Sequence, residues 1–316
     1  MGALHARNAG ADLVAVASTR REQADSVSRE LGVRACSYDE LFEAPDIDAV
    51  VIAARSIDHA ERACAALAAG KHVFLEKPGA TSLAGHSAVR DAAAAAGTVV
   101  QVGYHRRFDG RWVEAKARID AGDMGPPLLV VGVSRDVRMP EPEDPAPAGG
   151  FLLDMASHDY DAACWFLGQE PVEVHAARQS SVYPELQAMG DLDNAAVTVR
   201  FDGGGIAALH ISRTCPWGHD VRAEVVGDEG SLFVGLPAPA EVSTSANAAG
   251  FPQDYRELFA DAYVAELEAF LAAVAGDSPA GASLEDDRRA VAVGVAARAS
   301  AVAGQPLAVG TDWPWP

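Results

Sequence analysis

The sequence predicts an α/β domain with a parallel sheet, followed by an α+β domain built on a large, mainly antiparallel sheet. Two patterns carry this prediction. Up to about Gly103, helical segments alternate with short buried strands, an order that places helices on both faces of a parallel sheet. After a helix ending near Gly122, strand follows strand across short glycine-rich turns, which suits antiparallel pairing rather than further crossover units. We divide the chain into residues 1–104 and 105–316.

In the first part the runs LVAVAS (13–18), AVVIAA (49–54), HVFLE (72–76) and VVQVG (99–103) read as strands. They are short and rich in Val, Ile and Phe, as strands buried on both faces are. Helices are predicted between them over 24–31, 60–69 and 83–96. In the second part the strands are LLVVGVSRDV (128–137), EVHAARQS (173–180), AAVTVRFD (195–202), GIAALHISRT (205–214), RAEVVGD (222–228) and GSLFVG (230–235). The segment from Pro140 to Gly150 is a proline-rich loop, either disordered or a flap over a site, that leads into a helix beginning in GGFLLDMASHDYDAACWFLG. No internal repeat is visible.

Composition excludes several classes. A chain of 316 residues with 49% hydrophobic content can bury a large core. No uninterrupted apolar run reaches the length of about 18 residues that a membrane span needs, and no signal peptide is recognisable, so the cytoplasm is expected. The four cysteines, Cys36, Cys64, Cys164 and Cys215, are scattered without a C-x-x-C pair, and no disulfide framework or metal site is expected. A formal charge of −20 argues against nucleic acid, whose phosphates attract basic surfaces. A sheet with one uncovered apolar face would need a partner, which predicts a homo-oligomer, a dimer or a tetramer.

The candidate chemistry begins with Lys77. Of the 25 lysine and arginine residues only Lys71, Lys77 and Lys116 are lysine, and Lys77 stands in FLEKPGA, directly after a strand and before Pro78. A guanidinium is always charged, whereas an ammonium is compact and its pKa shifts readily beside reacting groups. In an open α/β sheet, ligands bind at such strand ends. Standing alone, the motif fits an exposed lysine in a turn equally well. Further along, Asp154 and His158 are four apart in a stretch with helical spacing of Leu153, Ala156, Ala162, Trp165 and Phe166, so both face the same way. Taken singly, such a histidine is more often structural and such an aspartate is a helix cap. The pairing of EKP with GG-x-x-x-D-x-x-x-H-D on separate segments favours a site.

That pairing resembles the glucose-fructose oxidoreductase/inositol dehydrogenase (Gfo/Idh/MocA) family over essentially the whole chain. IDAVVIAA with His59, GKHVFLEKP, QVGYHRRFD, PWGHDVRAEVVGDEGSL, AYVAELEAFLAAVAG and SLEDDRRAVAVGVAARAS match in order. The resemblance implies a Rossmann-type first domain, a substrate-binding and oligomerising second domain, and a nicotinamide-dependent dehydrogenase of a cyclic polyol or sugar, inositol-like in character. Family members open with a strand and a G-x-G-x-x-G turn. Here MGALHARN begins at the last glycine, Gly2, so the first strand and most of the loop are expected to be missing, through a misplaced start or a truncation. The rival expectation is a non-catalytic member acting as a binding or assembly subunit.

Alcohol oxidation needs a base for the hydroxyl proton and a cation near the developing alkoxide. His158 suits the base, Lys77 the cation, and Asp154 would balance and hold that cluster. By position in the family, the cofactor would be lined by Gly2, Ser18, Thr19, Arg20, Ala54, His59, Glu76 and Lys77. At the end of the second family strand, an acidic residue would select NAD. Ser18, Thr19, Arg20 and Arg21 stand there instead, which favours NADP over NAD. The substrate contacts carried over by position are His105, Arg106, Met155, Trp217 and His219, where inositol dehydrogenases carry tyrosines in the last segment.

Overall fold

The computed structural model describes residues 1–137, 150–235 and 252–314, so most of the proline-rich loop falls outside the described residues. The first domain contains helices α1 (Gly2–Ala9), α2 (Arg21–Leu31), α3 (Tyr38–Glu43), α4 (Ser56–Ala68) and α5 (Leu83–Ala96). Its strands are β1 (Ala15–Ala17), β2 (Arg34–Cys36), β3 (Ala49–Ile52), β4 (His72–Glu76) and β5 (Val100–Gly103). All pairings are parallel, β1 with β2 and β3 with β4 with β5. The expected single sheet is thus two sheets, because β1 and β3 do not pair with each other. Strand β4 is central in its sheet, and Val73, Phe74 and Leu75 are fully buried. Sequence periodicity missed β2 and α3, whose three and six residues are too short to show a period.

Among the described residues, the second domain is a sheet of seven strands with helices on one face. After α6 (Gly110–Asp120) come β6 (Pro127–Arg135), α7 (Ser157–Leu167), β7 (Pro171–Gln179), α8 (Pro184–Ala188), β8 (Asn194–Phe201), β9 (Ile206–Ser212), β10 (Asp220–Gly227) and β11 (Ser231–Val234). Helices α9 (Tyr255–Leu258), α10 (Ala260–Ala275) and α11 (Leu284–Ala303) and strand β12 (Leu307–Ala308) complete it. The strand order is β11-β10-β6-β9-β8-β7-β12. Every pair is antiparallel except β6 with β9, which lie side by side only after the chain has run through α7, β7 and β8. The alternation read from the sequence is realised in β8, where Ala195, Val197, Val199 and Phe201 point to the core and the residues between them face outward.

Two features position the site. Ser82 and Ser283 cap α5 and α11, and in α11 Asp286 returns the bond to the Ser283 amide, which fixes where the helix begins. Helix α11 then packs on β7, α7, α5 and the segment Phe151–Met155. That segment is a π-helical turn rather than the start of a regular helix, so the expected helix carrying both Asp154 and His158 is divided, with His158 in the first turn of α7. The turn fits because Gly294 of α11 leaves room. A Cβ there would lie 2.5 Å from Leu153 Cδ1, 3.2 Å from Leu153 Cα and 3.3 Å from the Leu152 carbonyl oxygen.

Backbone atoms cannot yield as a side chain can. Gly294→Val is expected to destabilise the fold by about 1–3 kcal/mol and to displace Asp154. Urea unfolding together with kcat should show both losses; unchanged kcat would show that the π-turn tolerates displacement.

Candidate active site

Lys77 follows β4, and its peptide bond to Pro78 is cis. Its Nζ donates to Asp154 Oδ1 at 3.0 Å and to the Asp154 carbonyl at 2.9 Å, so the strand end and the π-turn meet at one ammonium. The lysine side chain is 18% exposed and the aspartate 35%, which leaves the pair reachable from outside. The other two lysines have structural duties. Lys71 donates to the carbonyls of Ala44 and Ile47, and Lys116 pairs with Asp120.

Each half of the pair is held by buried carboxylates. Asp287 of α11 accepts from the Gly79 amide at 3.2 Å and from the Tyr104 hydroxyl at 2.8 Å, gripping the turn after Lys77. A Cβ on Gly79 would come within 2.4 Å of Asp287 Oδ2, so glycine is required for this approach. Asp191 accepts from the Phe151 amide at 2.8 Å and from Arg213 at 2.6 Å, which fixes the first residue of the π-turn. A carboxylate at the head of a helical turn also meets its unpaired amides favourably.

The charges follow from this packing. Burial works against the Lys77 ammonium, but the carboxylates of Asp154 and Glu76 outweigh it and raise the pKa. Burial pushes the His158 imidazole well below its ordinary value, and His105, Lys77 and Arg106 push the same way. His158 is therefore neutral at physiological pH. Its Nδ1 is buried without a hydrogen-bond partner among the described residues. The ring meets His105 at 4.4 Å and Tyr104 at 5.8 Å between centroids, both edge to face. A cation that stays charged beside an imidazole that stays neutral is an arrangement for stabilising an alkoxide and accepting a proton.

The remaining residues expected at the site differ in burial and partners. Arg106 turns inward, donating to Asp159 at 2.9 Å and Ser134 at 2.8 Å, because a buried guanidinium needs its carboxylate more than it needs solvent. His105 is buried against His158, with the rings of Phe259 at 4.5 Å and Tyr263 at 4.6 Å. His59 is also buried, its ring nitrogens 2.8 Å from the Pro78 carbonyl and 3.1 Å from the Ala54 carbonyl, and it joins two loops instead of lining a surface. Glu76 is buried against His5. Met155 is half-buried and packs on the main core. Trp217 is half-buried, with its carbonyl accepting from Gln253, and His219 lies 3.1 Å from Asp136.

Gly2 is exposed at the N-terminus of α1, and a Cβ there would lie 3.9 Å from Ala53 at the end of β3. Helix N-termini beside the carboxyl ends of parallel strands attract phosphates, so this edge fits the pyrophosphate of a dinucleotide. Ser18 accepts from the Arg20 amide and donates to Gln23, while Thr19 is exposed. One neighbour was missed from the sequence. Tyr255 of α9 stacks edge to face on His219 at 5.7 Å, and its phenol feels the charges of Lys77 and Glu76. It follows no motif; only the folding of α9 brings it there.

Residues 1–104 match the oxidoreductase family with an NAD-binding Rossmann fold, and residues 112–233 match the GFO/IDH/MocA C-terminal domain. The chain belongs to the Gfo/Idh/MocA oxidoreductase family. It is 37% identical to a scyllo-inositol 2-dehydrogenase (NAD(+)) of Bacillus subtilis, covering 97% of this chain and 93% of that one. It is 31% identical to a myo-inositol 2-dehydrogenase of Thermotoga maritima, covering 95% and 93%. A scyllo-inositol dehydrogenase of Lactobacillus casei, solved with NAD(H) and scyllo-inositol, superposes with a TM-score of 0.86 at 27% identity, over 98% of this chain and 96% of that one. Among the described residues no helix is long and apolar enough to cross a membrane.

The two neutral histidines of this family member make stability depend on pH. Their folded pKa values lie well below the ordinary histidine value, so below about pH 6.5 the unfolded chain takes up protons that the folded one refuses. The contribution of these two histidines is expected to be constant above that pH and to be lost below it. Urea midpoints between about pH 7.5 and about pH 5.5 test this, with a shallower fall for His105→Phe; equal slopes would refute the buried-neutral assignment.

Proposed function

We propose that the chain is an NAD-dependent dehydrogenase of an inositol or a closely related cyclic polyol. The observation that carries this reading is the Lys77 to Asp154 pair beside a neutral His158, at the carboxyl end of the central strand β4. Lys77 donates to the oxygen of the reacting secondary alcohol and stabilises the negative charge that develops there. Asp154 holds the ammonium in place and keeps the local charge balanced. His158 takes the hydroxyl proton, and its neutral state suits an acceptor. Nicotinamide, when bound, supplies the hydride acceptor. Gly2 and the ends of β1 and β3 would hold the dinucleotide, while Met155, Trp217, His219 and Tyr255 border the polyol.

NAD is proposed in place of the NADP that the run Ser18 to Arg21 favoured. Arg21 is paired with Asp25, and the Ser18 hydroxyl accepts from the Arg20 backbone amide and donates to Gln23, so both side chains already have partners. The Bacillus subtilis relative carries NAD(+) in its name, and the Lactobacillus casei structure holds NAD(H). The alternative of a non-catalytic subunit is not favoured, since the similar proteins over nearly the whole chain are inositol dehydrogenases.

Steady-state kinetics with an inositol panel and both nucleotides test this. NAD should give the higher kcat/KM, and Lys77→Met or His158→Ala should lower kcat by about 10²–10⁴-fold while nucleotide binding persists. Absence of nicotinamide reduction with every polyol, despite nucleotide binding, would overturn the reading.

We also propose a homo-oligomer. The face of the large sheet opposite its helices carries Val131, Val133, Ile206, Ala208 and Phe233, all partly or fully exposed. Light scattering after size exclusion should return a multiple of 32.9 kDa, and a monomeric mass at assay concentration would refute it.

A further inference from the structure

Behind Lys77 lies a second group of ionisable side chains that the reaction does not use. His5 of α1, Glu76 of β4 and Glu266 of α10 are 1%, 5% and 0% exposed. One nitrogen or oxygen from each lies within 4.8 Å of the others. His5 Nε2 is 2.7 Å from Glu76 Oε1, and the Lys77 amide donates to Glu76 Oε2 at 3.2 Å. Glu76 is thus the last link between α1 and the backbone of the reacting lysine.

Glu266 differs from Glu76. Neither of its carboxylate oxygens has a hydrogen-bond partner among the described residues, and no cation reaches it. Around the cluster stand Phe74, 5.1 Å from the His5 ring, and Phe270, 5.8 Å from Phe74. An isolated carboxylate in such surroundings would cost far more than a neutral acid. The charged and titratable groups facing the cluster are His5 from α1, Lys77 beyond β4, His105 and Arg106 from the turn after β5, Tyr255 from α9 and Tyr263 from α10. Gln101 of β5 serves only the Glu266 backbone carbonyl.

We propose that Glu266 is a positioning residue that carries a proton in the working enzyme, leaving Glu76 as the single anion beneath Lys77. This rests on the dehydrogenase reading for its catalytic consequence but not for the proton itself. Burial and then the neighbouring Glu76 push the Glu266 carboxyl well up. Burial would raise Glu76 too, but the hydrogen bond and charge of His5, and then Lys77, overcome it and bring it down to about 2. Two carboxyl groups driven apart in this way take unequal roles. Glu76 holds His5 and the Lys77 amide. A second anion at Glu266 would compete for His5 and loosen that hold.

The first test is independent of activity. The folded pKa of Glu266 lies above its unfolded value, so its stabilising proton is fully present below about pH 4.5 and is lost as pH rises through the folded value. Unfolding of wild type and Glu266→Gln is therefore compared from about pH 5 to about pH 8. The folded-to-unfolded ratio of the variant, relative to wild type, should rise about tenfold per pH unit over the window in which Glu266 stays protonated. In the infrared, a buried carboxylic acid carbonyl band should be present in wild type and in Glu76→Gln and missing from Glu266→Gln.

A flat stability ratio with no such band would overturn the proposal. Stoichiometric zinc binding to the wild type, abolished in Glu266→Gln, would also overturn it by showing that the cluster holds a cation. For the positioning role, Glu266→Ala should lower kcat, and Glu266→Gln, which has the shape of the protonated acid, should restore most of it. Equal kcat in wild type and the alanine variant would remove that role while leaving the dehydrogenase reading intact.

Discussion

The ammonium of Lys77 on the oxygens of Asp154 is the interaction on which the rest of the site depends. It joins the end of β4 to the π-turn before α7, two segments separated by 77 positions in the chain. An ion pair this exposed contributes little to stability by itself. Its value lies in placement, and placement is secured by groups that are fully buried. Asp287 grips the backbone after Lys77, Asp191 grips the backbone before Asp154, and α11 presses on both segments. The reacting groups remain accessible because their supports absorb the burial.

The same division of labour explains the electrostatics. Carboxylates beside Lys77 keep it charged, and the desolvated pocket of His105, Tyr104 and His158 keeps the base neutral. Opposite shifts on adjacent groups need opposite surroundings a few ångströms apart, which a fold achieves by bringing different elements together. Here a strand end supplies the cation and a helix start supplies the base. Arg106 strengthens the second effect from within, since its buried charge, neutralised by Asp159, still disfavours a proton on His158.

The oxidoreductase family was legible from motifs, and with it the three residues nominated for the site. EKP marks a strand end, and D-x-x-x-H reads as two neighbours on one helical face, a helix that the structure divides; residue identity and spacing nominated Lys77, Asp154 and His158. Orientation was not legible. Arg106 and His59 sit within matching motifs, yet one folds onto Asp159 and the other onto two carbonyls. A motif records which residue occupies a position, but burial decides which way it turns. Tyr255 shows the converse, since no pattern in its vicinity distinguishes it from a surface tyrosine.

The sequence by itself determined the alternation of strands and helices, the antiparallel character of the second sheet and which side chains were nominated for the site. These depend on local period, turn chemistry and residue type, all of which are written in consecutive positions. Only the tertiary structure decided that Asp154 stands in a π-turn, that β6 and β9 run parallel and that Glu266 comes to lie beside Glu76. Each of these arises from contact between segments distant in the chain, where packing against Gly294, strand order and desolvation set the outcome.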